Sequence, residues 1–352
     1  MKYYAGIIGS GVAGSTMALR LAALGYSVVL LSKARESDSS RVAAGLLNPF
    51  APKHLLPGWR GMEFADEAHR FYRELQTASG VRFYDPMPIF RVFPNAHYRG
   101  DWQKRCLEHP EYLSPVMDAP DPAIKAPFGG GLLYHSGVAD GKAFLQAAGT
   151  QFEGRVTYIQ EDIRYDELRF EAGHWHYGDL SFEQVLFCEG MAARENPHLQ
   201  HMELIPLKGD LLRLRLPDFA PQYIYQTQHF IAPDPEPGVF KVGSTYQLGF
   251  LSPAPQEGDL NFLLGALQSF YKGPYELLEH RAGLRPTSFD RRPYAGAVPG
   301  LQQAWVLNGL GSKGYLMTPL LSRVLCDAIT KQGELWPELD PGRRRKRERN
   351  AG

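Results

Sequence analysis

The chain has 352 residues, enough to bury a large core, and its 38 basic side chains balance 38 acidic ones. Six of the basic residues lie in segment 343–349, which leaves 32 basic and 37 acidic residues elsewhere. This distribution argues against a nucleic-acid binder and predicts a solvated, disordered tail after the last helix. No apolar run approaches the ~20 residues of a membrane span.

The cysteines and the N-terminus predict a cytoplasmic protein. Cys106, Cys188 and Cys326 are odd in number and far apart, which favours free thiols over disulfides or a zinc site. The first predicted strand begins so close to Met1 that we expect no signal peptide. We therefore predict a cytoplasmic chain without a metal or membrane partner, and the sequence leaves its oligomeric state open.

A glycine-rich turn between a strand and a helix opens the chain. Residues 5–8 are apolar and predict a short buried strand, and residues 15–24 predict an amphipathic helix. Between them, Gly9 permits a sharp turn, Gly11 lets a pyrophosphate approach the backbone, and Gly14 lets the helix lie close to the sheet. Free N–H groups at the start of a helix favour phosphate. The pattern predicts a dinucleotide site and leaves NAD and FAD open.

The residue expected to bind the ribose hydroxyls differs from the usual pattern. A second strand is predicted over 27–31, and an acidic residue is expected at its end. Ser32 and Lys33 stand there instead. A serine can still hydrogen-bond a ribose, and Glu36 is an alternative.

The rest of the chain predicts two kinds of sheet. Small and hydroxylated residues in 37–49 permit close approach of a flat ligand. Helices are predicted over 62–78, 141–151, 259–271 and 318–330, and buried strands over 156–159, 184–190 and 305–307. Alternating patterns over 211–216, 223–231 and 239–243 instead predict antiparallel strands with one wet face. We expect the substrate pocket against that second sheet.

Seven blocks follow one another along the chain. They are Gly9-x-Gly11-x-x-Gly14, Ala43-Ala44-Gly45-Leu46, the strand ending at Gly190, Pro206-Leu207-Lys208-Gly209, Val242-Gly243-Ser244-Thr245, Gly283-Leu284-Arg285-Pro286 and Gly309-x-Gly311-x-x-Gly314. In this order they resemble the D-amino-acid oxidase family of FAD enzymes, which includes glycine oxidase and sarcosine oxidase. The sequence of 45–49 and 309–314 is similar to that of one branch, the oxidase half of the bacterial bifunctional enzyme that matures the aminomethyl group on wobble uridine of tRNA.

The resemblance implies an α/β fold in which a Rossmann-type FAD-binding domain is interleaved with a mainly antiparallel α+β substrate domain. The FAD-binding domain is predicted to comprise 1–80, 137–205 and 281–332. The substrate domain is predicted over 81–136 and 206–280, with a basic tail over 333–352.

The resemblance also implies a cofactor site. Ala43 to Leu46 is expected near the isoalloxazine, Val156 at the adenine end, and the helix start at 311–316 at the pyrimidine edge, where its dipole favours a reduced, negative ring. The family's covalent members use a cysteine near the position of Arg285, and this chain has none there, so FAD should be noncovalent. The predicted cofactor residues are Gly9, Ser10, Gly11, Val12, Ala13, Gly14, Ser32, Lys33, Ser40, Ala43, Ala44, Gly45, Leu46, Val156, Cys188, Glu189, Gly190, Arg285, Gly311, Ser312, Lys313, Gly314, Tyr315 and Leu316.

Arg285 matches the family arginine that clamps an amino-acid carboxylate, a geometry that suits a bidentate guanidinium. The alternative is an internal salt bridge to Asp290. The other predicted substrate-site residues are Tyr246, Phe230, Tyr225 and Lys313, although the aromatic ones suit sheet packing equally well. His54 and His229 are interpreted as structural.

The implied chemistry is oxidation of a C–N bond in a small amine or amino acid. The free amine gives its α-hydrogen as hydride to flavin N5, the imine hydrolyses, and electrons pass to oxygen or another acceptor. No dedicated base is required, because desolvation lowers the ammonium pKa. The alternatives are an aminomethyl-type uridine in tRNA as substrate with the basic tail on phosphate, a flavoprotein dehydrogenase with another acceptor, an NAD dehydrogenase, or a binding flavoprotein.

Overall fold

The computed structural model describes residues 1–51 and 55–344. In that part of the chain the helices are α1 (Val12–Ala23), α2 (Ser39–Val42), α3 (Gly61–Ser79), α4 (Ala96–Glu108), α5 (Gly141–Thr150), α6 (Glu257–Phe270) and α7 (Gly314–Ile329). None of the helices described is long and apolar enough to cross a membrane.

The strands fall into two large sheets and two small ones. In chain order they are β1 (Lys2–Ile8), β2 (Val28–Leu31), β3 (Leu46–Leu47), β4 (Phe50–Ala51), β5 (Leu56–Pro57), β6 (Tyr84–Pro86), β7 (Ile89–Val92), β8 (Gly130–Leu133), β9 (Gly137–Ala139), β10 (Val156–Ile159), β11 (Arg169–Glu171), β12 (His174–Tyr177), β13 (Leu180–Phe187), β14 (Leu204–Arg215), β15 (Ile224–Gln226), β16 (Phe230–Pro233), β17 (Val239–Gly243), β18 (Gln247–Leu248), β19 (Glu276–Ser288), β20 (Tyr294–Ala297) and β21 (Ala304–Asn308).

The first large sheet has a parallel centre, in the order β10-β2-β1-β13-β21. All four residues of β2 are buried, as expected of a strand that is covered on both faces. Helices α1, α3 and α7 pack on one face, where Met17 and Leu21 meet Leu321 and Leu325 in one apolar cluster. The carboxyl ends of these parallel strands lie at one edge, the usual position of a ligand in such sheets.

The second large sheet is mainly antiparallel, in the order β18-β14-β17-β16-β15-β7-β8, with β19 paired to β14. Helix α6 covers one face, where Leu263 and Leu267 pack against Leu212 and Leu214. The predicted contrast between a parallel and an antiparallel sheet is confirmed.

Residues 281–288 belong to the second sheet, which differs from the predicted start of a third FAD-binding segment at 281. Strand β19 pairs with β14 from Leu204↔Ser288 to Arg215↔Glu276. Gly283 and Pro286 interrupt the alternation that would have revealed this strand, and only pairing with residues about 75 positions earlier keeps it extended. Arg285 therefore lies on a strand of the second sheet, opposite Leu207 of β14.

Helix α4 was not predicted, since its region is rich in Pro, Gly and His. Its local signal is Asn95, whose side chain accepts a hydrogen bond from the Tyr98 N–H at 2.8 Å and caps the helix. The helix is held by Trp102, which is fully buried and donates from Nε1 to the Ser114 carbonyl at 2.9 Å. Tertiary burial of one indole thus stabilises a segment whose composition favours loops.

The predicted tail over 333–352 also differs from the structure in its first part. Leu339 is fully buried, and Pro341 packs against Gly296 of β20. Arg343 forms an ion pair with Asp290 and stacks over Tyr294. Residues 333–344 are thus part of the body, and the rest of the predicted tail, 345–352, lies outside the described residues, as does His54.

Candidate functional site

The glycine turn after β1 is so tight that a side chain cannot be accommodated at Gly9 or at Gly14. Gly9 has φ of 100°, and a Cβ on it would lie 2.4 Å from the Cys188 carbonyl oxygen. A Cβ on Gly14 would lie 1.8 Å from the Gly9 carbonyl oxygen, because α1 packs directly on the turn. The first N–H groups of α1 consequently face the carboxyl edge of the sheet with no intrahelical partner.

A second helix start converges on the same edge. Gly309 and Gly311 have φ of 71° and 54°, and α7 follows at Gly314. The Asn308 side chain joins this turn to β13, because its Nδ2 donates to the Gly190 carbonyl at 2.9 Å. The two glycine turns, separated by three hundred residues, thus follow strands β1 and β21, which flank β13 in the sheet.

Ser40 connects both helix starts. Its Oγ accepts a hydrogen bond from the Val12 N–H at 3.0 Å, and its carbonyl accepts one from the Tyr315 hydroxyl at 2.7 Å. The short helix α2 is therefore fixed between α1 and α7. A Cβ on Gly45, just beyond α2, would lie 1.6 Å from the Ala139 carbonyl oxygen, so the packing of this segment against β9 requires a glycine there.

A cavity of about 1030 Å³ runs along this edge and on to the second sheet. Most predicted site residues line it, namely Gly9, Ser10, Gly11, Val12, Ala13, Ser32, Lys33, Ser40, Ala43, Ala44, Gly45, Leu46, Cys188, Glu189, Gly190, Phe230, Tyr246, Arg285, Gly311, Ser312, Gly314 and Tyr315. Burial raises the pKa of the Cys188 thiol, which disfavours the thiolate. The described residues contain no group of three His, Cys, Asp or Glu side chains placed to hold a metal.

Five predicted residues do not line the cavity. Val156 pairs with Val28 at the opposite end of β10 from the cavity edge, and Leu316 is buried in the core beneath α7. Tyr225 is buried between Phe90 and Phe219, with ring centroids 5.6 and 5.7 Å away. The remaining two are Gly14, which packs on the turn, and Lys313.

The amine of Lys313 points toward Gly58 rather than into the cavity. It makes no hydrogen bond or ion pair with any residue in 1–51 or 55–344, and burial lowers its pKa. Its side chain is therefore a partly desolvated cation beside the second glycine turn.

At the end of the cavity next to β2, acidic side chains come from the segment that follows the neighbouring strand β10. Lys33 forms an ion pair of 3.3 Å with Asp162, and Glu161 and Asp162 both line the cavity just beyond β10. Glu36 turns away from the cavity and contacts Lys142 at 2.7 Å. Acidic side chains therefore line this end of the cavity just beyond β10, and Asp162 is paired there with both Lys33 and Arg35.

Glu189 places a carboxyl group in the cavity wall. The Tyr165 hydroxyl and the Asn196 side-chain amide donate to its two oxygens, the latter at 2.9 Å. Burial raises the pKa of Glu189 to about 7, and nearby Glu195 adds to the increase. Tyr165 also lines the cavity and was missed from the sequence.

Arg285 presents its guanidinium at the other end of the cavity. The group packs over Gly209, where a Cβ would lie only 2.0 Å from it, and its Cζ lies 4.8 Å from the centre of the Tyr246 ring. Its one hydrogen bond within the described residues is from Nη1 to the Thr245 carbonyl at 3.2 Å. Burial lowers the pKa of this guanidinium. The geometry is that of a cation held ready for an anionic ligand.

A buried charged cluster supports Arg285 from behind. Lys208 Nζ donates to the carboxylates of Asp210 and Asp259, each at 2.8 Å, and His280 Nε2 lies 2.8 Å from Asp210. Thr245 connects the cluster to the arginine: its hydroxyl donates to Asp210 at 3.1 Å. Asp210 is thus linked to Arg285 through Thr245, and its negative charge also opposes the lowering of the Arg285 pKa.

A family model described as FAD dependent oxidoreductase matches residues 5–328. The chain belongs to this family. FAD is its cofactor, and the chain is an FAD-dependent oxidoreductase, as the resemblance predicted. The two helix starts, the side-chain-free turn and the long cavity fit such a dinucleotide. The alternative of an NAD dehydrogenase is not supported.

Individual relatives are distant but cover nearly the whole chain. A glycine oxidase of Pseudomonas aeruginosa is 25% identical over 362 residues, which is 95% of this chain and 96% of that protein. The tRNA 5-methylaminomethyl-2-thiouridine biosynthesis bifunctional protein of Marinobacter nauticus is 26% identical over 361 residues, covering 93% of this chain and 55% of that protein. The chain thus spans about half of the bifunctional relative.

Solved structures show the same fold. Glycine oxidase from Geobacillus kaustophilus superposes with a TM-score of 0.82 at 18% identity, over 98% of this chain and 100% of that one. Iminodiacetate oxidase from Chelativorans sp. also gives 0.82, at 19% identity, over 95% and 97%. At these identities the likeness establishes architecture, and the substrate must be argued from the site.

Proposed function

We propose that this oxidoreductase oxidises the C–N bond of an amino acid whose carboxylate binds Arg285. The observation that carries the proposal is the guanidinium itself, which is partly buried in the cavity wall and forms no ion pair with any described residue. A partly desolvated cation favours a direct counter-charge, and a substrate carboxylate supplies one with matching bidentate geometry. The oxidase names of the relatives agree with this chemistry.

The chain's own residues bind and desolvate the substrate. Phe230 and Leu211 form apolar wall near Arg285, and an amine held against them is favoured in its neutral form, because desolvation disfavours the ammonium. FAD, when bound, supplies the two-electron acceptor. The N–H groups at the start of α1 and around the second turn would hold it, without a covalent bond, since no cysteine lies in the block around Arg285.

The electron acceptor and the compartment belong to the same proposal. We take oxygen as the acceptor, so that peroxide forms in step with substrate loss, and a peroxide assay under air tests this directly. Cys106, Cys188 and Cys326 are all free thiols, which favours a reducing compartment such as the cytoplasm.

The test is an anaerobic titration of the flavin absorbance with sarcosine and with dimethylamine, which differ only by the carboxylate. Arg285→Ala should raise KM for sarcosine by about 30-fold or more, because one partner of a desolvated charge pair is lost. The variant should change the much weaker response to dimethylamine far less. Arg281→Ala is the matched control, because Arg281 lies on the same strand, pairs with Glu279 at 3.0 Å and does not line the cavity. Equal losses for both amines would contradict the proposal.

The similarity to the bifunctional tRNA enzyme supports a second candidate substrate. An aminomethyl-type modified uridine in tRNA would present the same kind of C–N bond. The nucleoside alone should then reduce the flavin, and tRNA binding should weaken steeply with salt. Deletion of 345–352 tests the basic segment without removing Arg343, which is structural.

A further inference from the structure

Five large apolar side chains between positions 246 and 262 are exposed, and two of them, Tyr246 and Leu251, line the cavity that contains Arg285. Tyr246 is 61% exposed, Leu248 68%, Leu251 66% and Phe262 56%, and Phe250 is exposed as well. These five form half of the exposed large hydrophobic residues found in 1–51 and 55–344. Clustered exposure of this kind marks a binding surface more often than chance.

Part of this rim belongs to the cavity itself. Tyr246, Leu251 and Pro253 line the same cavity as Arg285, and Phe230 continues the apolar wall inward. Tyr246 connects the exposed rim with Arg285, since its ring faces the Arg285 guanidinium. An apolar path therefore runs from the carboxylate anchor to the cavity mouth.

The rim segment is held at both ends. Strand β18 pairs Gln247 and Leu248 with Lys208 and Leu207, and residues 249–256 then run without regular structure into α6. Asp259, in the first turn of α6, binds the buried Lys208 amine at 2.8 Å. Leu251 is thus carried on a short connection whose two ends are fixed to β14.

We propose that the substrate carries a large apolar group, on its α-carbon or its nitrogen, which packs against Leu251, Pro253 and Tyr246 while its carboxylate binds Arg285. This inference rests on the proposed function and names its substrate class. Glycine would leave the apolar rim in water, whereas a phenyl group would cover it. Burial of apolar area drives such a preference, and one well-placed methylene is worth ~10–200-fold in specificity.

The experiment compares substrates that differ only by one phenyl group. Phenylalanine is compared with alanine, using each enantiomer, and N-benzylglycine with sarcosine, by anaerobic rates of flavin bleaching in the holoenzyme. One pair tests a group on the α-carbon and the other a group on nitrogen. The phenyl compound should have a kcat/KM at least ~10-fold higher in one of the pairs.

Leu251 and Leu248 provide a matched pair of variants, because both are leucines of equal exposure but only Leu251 lines the cavity. Leu251→Ser should reduce the phenyl preference by ~10-fold or more, and Leu248→Ser should leave it unchanged. Leu251→Met, which keeps the apolar surface, should retain it.

Three outcomes would overturn the inference. The first is no phenyl preference in either pair, and the second is an equal effect of both serine variants. The third is that both variants disrupt self-association, measured by sedimentation, without changing the preference, which would make the rim an interface between copies. If small amines still reduce the flavin in these cases, the proposed function stands. If no amine in the panel reduces the flavin, the proposed function itself is wrong, and the inference about the apolar group is wrong with it.

Discussion

The Arg343 guanidinium binds the Asp290 carboxylate, with Nε 3.0 Å from Oδ2 and Nη2 3.1 Å from Oδ1. Asp290 is the predicted alternative partner of Arg285. In the structure it binds Arg343, accepts a hydrogen bond from the Ser288 hydroxyl at 3.1 Å and forms no ion pair with Arg285.

This pair should contribute to stability. Arg343 is mostly buried, donates to the Arg292 carbonyl at 2.5 Å as well, and stacks 4.0 Å over Tyr294. Arg343→Ala should lower the free energy of unfolding by roughly 1–3 kcal/mol, because the charge-assisted hydrogen bonds of Arg343 to Asp290 and its bond to the Arg292 carbonyl are lost. Urea unfolding of the variant and of the wild-type protein measures this difference in free energy. Arg105→Ala, which removes an exposed pair with Glu108, should cost less than ~1 kcal/mol. Equal costs would mean that the Arg343 pair is only a surface contact.

Substitution of glycine by alanine should have opposite effects in the glycine turn and in helix α5. Gly14→Ala should abolish FAD retention or folding, because the new methyl group would overlap the Gly9 carbonyl. Gly149→Ala, near the end of α5, has no atom within 4 Å of the new methyl group and should stabilise the protein by up to ~1 kcal/mol. The flavin-to-protein absorbance ratio and the Tm report both effects. A flavin-replete Gly14→Ala protein would contradict the packing described for α1.

Glu189 predicts a pH dependence of stability in the apoprotein. Its pKa is about 7 when folded, against a usual value of 4.5, so the folded state holds the proton more tightly than the unfolded state. Its contribution to stability therefore falls as pH rises from 4.5 to about 7. Glu189→Gln cannot ionise but keeps an acceptor for Tyr165. The stability of this variant relative to wild type should rise by roughly 2 kcal/mol between pH 5 and pH 7.5. Parallel urea-unfolding profiles would exclude titration of Glu189 in this range.

Thr245 should act as a positioning residue for Arg285. Thr245→Val removes the hydroxyl that accepts from the Asp210 N–H at 2.8 Å and donates to its carboxylate. Leaving that buried N–H unsatisfied should cost ~1–3 kcal/mol of stability. Since the Thr245 carbonyl holds Arg285, KM for sarcosine should rise several-fold while kcat changes little. Thr245→Ser restores both hydrogen bonds and should restore KM. A variant that loses stability with unchanged KM would limit Thr245 to a structural role.

The sequence by itself determined the features that depend on a few consecutive residues. Both glycine turns, the buried strands beside them and the helices that follow were predicted because a missing Cβ, a burst of apolar residues and a helical period are local properties. Gly9 and Gly11 needed no distant partner to reveal a phosphate-binding turn. The ordered blocks then indicated the family, which is confirmed.

Only the tertiary structure decided which predicted residues meet. Tyr225 and Phe230 have the same strand-like surroundings, yet one is buried among aromatic rings and the other lines the cavity, because helix α6 and Phe219 cover only one face of the sheet. Arg285 reached the cavity through strand pairing with residues about 75 positions earlier, and Asp162, beyond β10, came to lie beside Lys33, beyond β2. Such placements depend on long-range strand pairing and on which face a layer covers, and no local pattern encodes either of them.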